Sequence, residues 1–450
     1  MKRIEQSRFA DLSLWQSAVD EVLAREAANK QAALTGTQPV VVRPDATNSM
    51  VRLAAASVKT AEKTNNIHAA ADTLRPAIQL PAPATTAIHI PPAPTGSNVL
   101  TYCADLLIKL EKANLFGPEA DAAYYQDLLD KNEGVCDPRW ALAVIKYIEF
   151  LASRRSIPYI RWKAIDDFVI DGKLPAKARV AVIGDWGTGL PEARAVLQQL
   201  ARKKPDVVIH LGDVYYAGTA FEIENYFLEI WRSALNLSAS PIPTFSLAGN
   251  HDMFSGGAPY YNLIEQLGQP ASYFCLRNDD WQFIAIDTGL HDSNPDGSTP
   301  TFLEDTEVEW LKDKIDNRGK RRTALLSHHQ LFSRFEDICG AAVNPRLNEQ
   351  LSPLLAQIAV WIWGHEHNLV IYEPYMGILA RCVGHGAFPV GAGEISNPPK
   401  NPQVPAKDIS LSGAPFLDHG YALIDVDGPQ ARVSYFVDSN EADPLYTETL

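Results

Sequence analysis

The sequence is poor in cysteine, short of positive charge, and has no long apolar run. Five cysteines stand among 450 residues. They are Cys103, Cys136, Cys275, Cys339 and Cys382, odd in number, scattered, and without a C-x-x-C pair. This argues against a disulfide framework and against zinc or dithiol chemistry built on paired thiols; buried free cysteines in a reducing compartment are expected instead. Lys and Arg total 40 against 54 Asp and Glu, a net charge of −14. Broad binding to nucleic acid or to an anionic membrane draws its affinity from basic surface, so neither is expected. A membrane-spanning helix needs about 18 or more consecutive apolar residues, and none is found. The opening MKRIEQSRFADLSLW is charged and amphipathic, without the apolar core or small-residue cleavage site of a secretory signal. A cytoplasmic location is therefore expected, with non-classical export left open.

What is present suits a folded globular chain. Hydrophobic residues make up 46% and charged residues 21%, ordinary values for a globular chain. The length allows one large α/β domain with additions, or two domains. Three regions separate by composition. Residues 1–97 open with a helix carrying Phe9, Leu12, Trp15, Val19, Val22 and Leu23 at helical spacing. They continue as an Ala/Thr/Pro-rich tether, expected to be partly disordered and a candidate docking segment for another protein. Residues 98–157 read as a helical region, with Leu106, Leu107 and Leu110 on one face and Val144, Ile145 and Ile148 on another. Residues 158–450 alternate short β-rich runs with helices.

In that third region, strands are predicted at Val180–Ile183, Val207–Leu211, Pro243–Leu247, Gln282–Ile286, Thr323–Ser327 and Ile358–Trp363. Helices are predicted at Pro191–Lys203, Ala220–Leu235, Thr306–Ile315 and Arg346–Gln357. Three last strands, Leu379–Val383, Tyr421–Val426 and Ala431–Val437, have no helices between them and read as an antiparallel tail. The whole is a layered α/β sandwich.

Ligand-type residues follow these strands repeatedly. Ile183 leads into Gly184-Asp185-Trp186-Gly187, and Leu211 into Gly212-Asp213-Val214-Tyr215-Tyr216. Ala248 leads into Gly249-Asn250-His251-Asp252, Leu326 into Ser327-His328-His329-Gln330, and Trp363 into Gly364-His365-Glu366-His367. Carboxyl ends of strands in α/β sheets border the crevice where ligands bind. Carboxylate, amide oxygen, imidazole and phenol together suit Mn, Fe or Zn better than calcium or a thiolate metal. Asp252 either orients His251 or caps a turn. Trp186, Phe332, Arg334, His291 and His385 fall near these motifs, but packing or surface roles are the simpler expectation for each.

The series GD…GD…GNHD…H…GHxH resembles the signature of the calcineurin-like metallophosphoesterases. Gly187 stands where most members carry a histidine, and Tyr216 stands three residues after the second Asp. That combination, with AGNHD, LLSHH and GHEHNL, looks most like the purple acid phosphatases. The resemblance implies a four-layer α/β/β/α sandwich with an N-terminal helical extension and two metal ions, Fe(III) with Fe(II), Zn or Mn. Carried over by position, it makes Asp213 the bridging carboxylate. Asp185, Tyr216 and His367 would complete the first metal, and Asn250, His328 and His365 the second. His251 would bind phosphate and protonate the leaving group. Gln330 departs from the usual proline. The implied activity is hydrolysis of a phosphate monoester, with a phosphodiesterase or an inactive scaffold as alternatives.

Overall fold

A computed structural model describes residues 155–235, 242–292, 300–390, 399–413 and 416–450, together with Lys146 and Phe150. These belong to a compact unit spanning Lys146–Leu450. The helix and tether expected in residues 1–97, and nearly all of the helical region expected at 98–157, lie outside the described residues.

Apolar runs fall where the backbone pairs. Strands β1 (Val169–Ile170), β5 (Phe274–Arg277), β6 (Trp281–Ala285), β7 (Arg322–Leu326), β8 (Val360–Trp363), β9 (Leu369–Ile371) and β10 (Ala380–Val383) form a seven-stranded sheet, ordered β1-β5-β6-β7-β8-β10-β9. Strands β2 (Lys177–Ile183), β3 (Val207–His210), β4 (Thr244–Ser246), β11 (Gly420–Asp427), β12 (Gln430–Val437) and β13 (Tyr446–Thr449) form a six-stranded sheet, ordered β13-β12-β11-β2-β3-β4. The sheet centres are parallel: β2 with β3, β3 with β4, β6 with β7, and β7 with β8.

Alternation of side chains along each strand builds three apolar layers. Val180, Val182, Val207 and Ile209 face Phe274, Phe283, Ala324, Leu326 and Ile362 between the sheets. The opposite faces of β2 and β3, Ala181, Ile183 and Val208, pack on Val196, Leu197 and Leu200 of α1 (Pro191–Arg202). Ile284, Leu325 and Trp361 pack on Trp310, Leu311 and Ile315 of a helix at Asp305–Asp316. Helix, sheet, sheet and helix layers therefore stack in the expected α/β/β/α order.

Two features depart from the sequence reading. The helix expected over Ala220–Leu235 is composite: α2 (Ala220–Glu222), a π-helical stretch over Ile223–Leu228, and α3 (Glu229–Leu235). The strand expected to open an antiparallel tail, β10, instead joins the other sheet, parallel to β8 and antiparallel to β9. Only β11 to β13 form that tail. Sheet membership depends on which distant strand supplies the pairing, and no local pattern encodes it. Helices α4 (Asn250–Phe254) and α5 (Ala258–Leu267) follow β4; α6 is the Asp305–Asp316 helix and α7 spans Pro345–Leu351. Among the described residues, no helix is long and apolar enough to cross a membrane.

Candidate metal centre

Four residues that leave these strand ends adopt the left-handed conformation rare outside glycine: Asp185 (φ 56°), Asp213 (φ 74°), His365 (φ 67°) and His367 (φ 33°). Such geometry costs energy and persists only where the surroundings enforce it. The enforcement is visible in the packing. A Cβ on Gly249 would stand 2.0 Å from Oδ1 of Asp213, and one on Gly364 would stand 2.6 Å from Oδ2 of Asp185. Glycine at both places is what lets the four loops meet.

The ligand-bearing side chains converge in two groups. Ligand atoms of Asp185, Asp213 and His367 all lie within 4.8 Å of one another, as do those of His328, His329 and His365. Asp213 joins them, with Oδ2 3.3 Å from Nε2 of His328. The same nitrogen lies 3.0 Å from Oδ1 of Asn250, and Nδ1 of His365 lies 3.3 Å from it. Nδ1 of His328 is 3.0 Å from the carbonyl oxygen of Leu211. A carbonyl only accepts, so Nδ1 carries a proton and Nε2 is the nitrogen turned toward the cluster. Burial opposes ionisation of Asp213, but His328 and His251 outweigh it and hold the carboxyl well below its usual range. For His328 burial opposes the charge, yet the adjoining Asp213 carries the imidazole up to about 9.

His329, passed over as a ligand in favour of His328, is also drawn into the cluster. Its Nδ1 lies 3.0 Å from the hydroxyl of Thr288 and its Nε2 lies 2.8 Å from Asp292. Nδ1 is thus taken up by a protein partner, whereas Nε2, although close to Asp292, is buried without a hydrogen bond.

The phenol at the first group is that of Tyr215, where Tyr216 was expected. Tyr215 donates its hydroxyl to Oδ1 of Asp185 at 2.8 Å, and the same oxygen is 2.9 Å from Nε2 of His367. Tyr216 is also buried, its ring 5.9 Å from Phe388 and 6.3 Å from His251. The segment that carries both tyrosines is a turn and not an extended strand. Glu222 gathers the backbone N–H groups of Tyr216, Ala217 and Thr219 on its carboxylate, and curls the segment so that both rings point inward.

His251 places Nδ1 2.7 Å from the carbonyl oxygen of Tyr216 and Nε2 3.9 Å from Oδ2 of Asp213. The Nδ1 proton is spent on the carbonyl, so Nε2 faces the cluster. Asp252 caps and does not orient His251: it accepts from the N–H groups of Gly249 (2.9 Å), Asp213 (3.0 Å) and Val214 (3.2 Å). One carboxyl thereby bolts the Asp213 loop to the Asn250 loop.

The side residues near the motifs pack. Trp186 donates to the carbonyl of Ala193, Phe332 lies in the layer beneath α6, and Arg334 donates to the carbonyls of Pro402 and Val404. His291 stacks on Phe302 with ring centroids 3.9 Å apart. His385 is buried against Gly420. Sequence reasoning missed Phe388, which stacks on His367 at 3.9 Å; no motif marks it.

The donor set is chemically suited to borderline transition metals, with oxygen and nitrogen donors and no thiolate. Residues 178–369 match the family model described as calcineurin-like phosphoesterase. That segment is similar to the calcineurin-like phosphoesterases. It holds every residue from Asp185 to His367 discussed above. The chain is 26% identical over 181 residues to the 3′,5′-cyclic adenosine monophosphate phosphodiesterase CpdA of Pseudomonas aeruginosa, covering 38% of this chain and 59% of the relative. It is 24% identical over 308 residues to a protein of Arabidopsis thaliana named probable inactive purple acid phosphatase 9, covering 56% of this chain and 46% of that one. The chain thus spans about half the length of the curated relatives it matches. Among solved structures, GAP50 of Plasmodium matches with a TM-score of 0.42 at 17% identity, covering 61% of this chain and 88% of that one. A dimetal phosphatase of Danio rerio matches with a TM-score of 0.40 at 12% identity, covering 60% of this chain and 98% of that one.

Proposed function

We propose that this phosphoesterase is a metal-dependent phosphoric ester hydrolase, acting on a phosphate monoester through a dinuclear centre. The observation that carries the reading is Asp213, whose carboxylate belongs to one donor group and lies 3.3 Å from His328 of the other. Asp185, Tyr215 and His367 would hold the first ion and Asn250, His328 and His365 the second, with Asp213 shared. A phenol in the first set favours Fe(III) there, with Fe(II), Zn or Mn in the second. When bound, the pair supplies positive charge for the phosphoryl oxygens and acidity for the attacking water.

The protein's own groups do the rest. Asp185 and Asp213, both fully buried, keep their charge out of solvent and fix where the phosphoryl group sits. His251, its tautomer set by the Tyr216 carbonyl, presents Nε2 for phosphate binding and for protonating the leaving oxygen. The acidic balance of the chain supports a small phosphate ester over a nucleic acid.

A diester reading draws support from the 26% identity to a protein named as a cyclic AMP phosphodiesterase. Aryl and alkyl monoesters, bis-aryl diesters and cyclic nucleotides, assayed side by side with elemental analysis, separate the two. Preferred turnover of monoesters supports the proposal. Preferred turnover of diesters transfers it to the second reading, and protein with two bound metals that hydrolyses none of them overturns both.

A further inference from the structure

We propose that Glu366 is a positioning residue that locks the two histidine-bearing loops of the centre together, so that one carboxyl governs both metals. The inference rests on the dinuclear reading above. Glu366 sits between His365 and His367 in the chain, and those two would serve different ions. Its side chain is buried and reaches away from the cluster, into the layer of aromatic residues beneath the seven-stranded sheet. There Oε1 accepts from the hydroxyl of Ser333. Oε2 accepts from the indole N–H of Trp363 and from the hydroxyl of Tyr372, each at 3.2 Å.

The three partners come from three places. Trp363 ends β8, Tyr372 follows β9, and Ser333 lies on the loop that begins with Ser327 and His328. Glu366 thus ties the His365–His367 turn to the loop of His328, while its own N–H closes the turn on the carbonyl of Gly364 at 2.8 Å. The left-handed backbones of His365 and His367 (φ 67° and 33°) are what such a tie must hold.

The donor and acceptor count explains why the residue is an acid. The Ser333 oxygen already accepts from the N–H groups of Phe335 (3.0 Å) and Glu336 (2.7 Å), so only its O–H is left to give. The Tyr372 oxygen accepts from the N–H of Arg334 at 3.4 Å. An indole N–H only donates. Three donors therefore converge on the two oxygens of Glu366. Glutamine has one acceptor and one NH₂, and wherever the NH₂ points it meets a donor.

The test is calorimetric titration of the chelator-stripped full-length protein with Zn(II), with metal affinity as the readout and turnover set aside. Glu366→Gln should weaken binding at both sites by about 10- to 100-fold, the loss typical of groups that orient metal ligands. Tyr372→Phe removes one donor without changing shape; it should weaken both sites by less and leave the melting temperature of the metal-free protein near wild type. Two ions bound with wild-type affinity by both variants overturn the proposal. If Glu366→Gln fails to fold, unchanged binding in Tyr372→Phe suffices to overturn it. A wild type that takes up fewer than two ions counts against the dinuclear reading itself, a different result from unaffected variants.

Discussion

The hydroxyl of Tyr215 lies 2.8 Å from Oδ1 of Asp185, inside the first donor group. Tyr216, three residues after Asp213 and the position singled out by motif spacing, has its ring 5.9 Å from Phe388 and 6.3 Å from His251, farther from both than the ring of Tyr215. Phenolate bound to ferric iron gives a visible charge-transfer band, which carboxylates and imidazoles cannot supply.

Iron-loaded, oxidised wild type should therefore absorb in the visible, Tyr216→Phe should keep the band, and Tyr215→Phe should lose it. An absorption spectrum with parallel iron analysis checks this. Loss of the band in Tyr216→Phe alone would restore the motif-based assignment.

The choice of tyrosine marks the limit of what was legible in the sequence. Apolar runs ending in Gly-Asp, Gly-Asn-His or Gly-His announced the strands and their ligand loops, because burial and tight turns leave local marks. Strands β3, β6, β7 and β8 lie within a residue or two of where they were expected, and β2 starts three residues earlier than expected. The turn at Tyr215–Ala217 depends on Glu222 reaching back from the next helix, and spacing cannot show that. The sheet to which β10 belongs, the capping by Asp252 and the tie made by Glu366 are likewise set by partners distant in the chain.

His251 should matter to chemistry more than to metal binding. Replacement by Ala should lower kcat by about 10²- to 10⁴-fold, the range for a lost general acid, with metal content nearly unchanged. The loss should shrink for aryl esters, whose leaving groups need little protonation. Equal losses for aryl and alkyl esters would leave phosphate binding as its role.

Asp252 should act on stability. Its replacement by Ala leaves three buried N–H groups, of Gly249, Asp213 and Val214, without their acceptor. Each unsatisfied donor costs about 1–3 kcal/mol, so unfolding in urea should show a loss of at least about 3 kcal/mol. A near-neutral change would mean that the two loops are held by other contacts.

Glu307 should make stability fall toward alkaline pH. Burial first, and the neighbouring Asp287 second, push its carboxyl well above the usual range. A carboxyl whose folded pKa is raised contributes stability that is complete below its unfolded value, 4.5, and is lost as pH rises through the folded one. Glu307→Gln cannot ionise, so its stability, measured by denaturant titration across that range, should decline less with rising pH than wild type. Parallel declines would exclude Glu307 as the source.

The most direct test of the central claim is elemental analysis of Asp213→Ala beside wild type, after loading with iron and zinc and removal of loose metal. Wild type should retain two ions per chain. Asp213→Ala should lose both and be inactive, because the shared carboxylate both binds the ions and offsets their mutual repulsion. Two tightly held ions in Asp213→Ala would contradict the account, since the two donor groups would then not depend on the side chain that joins them.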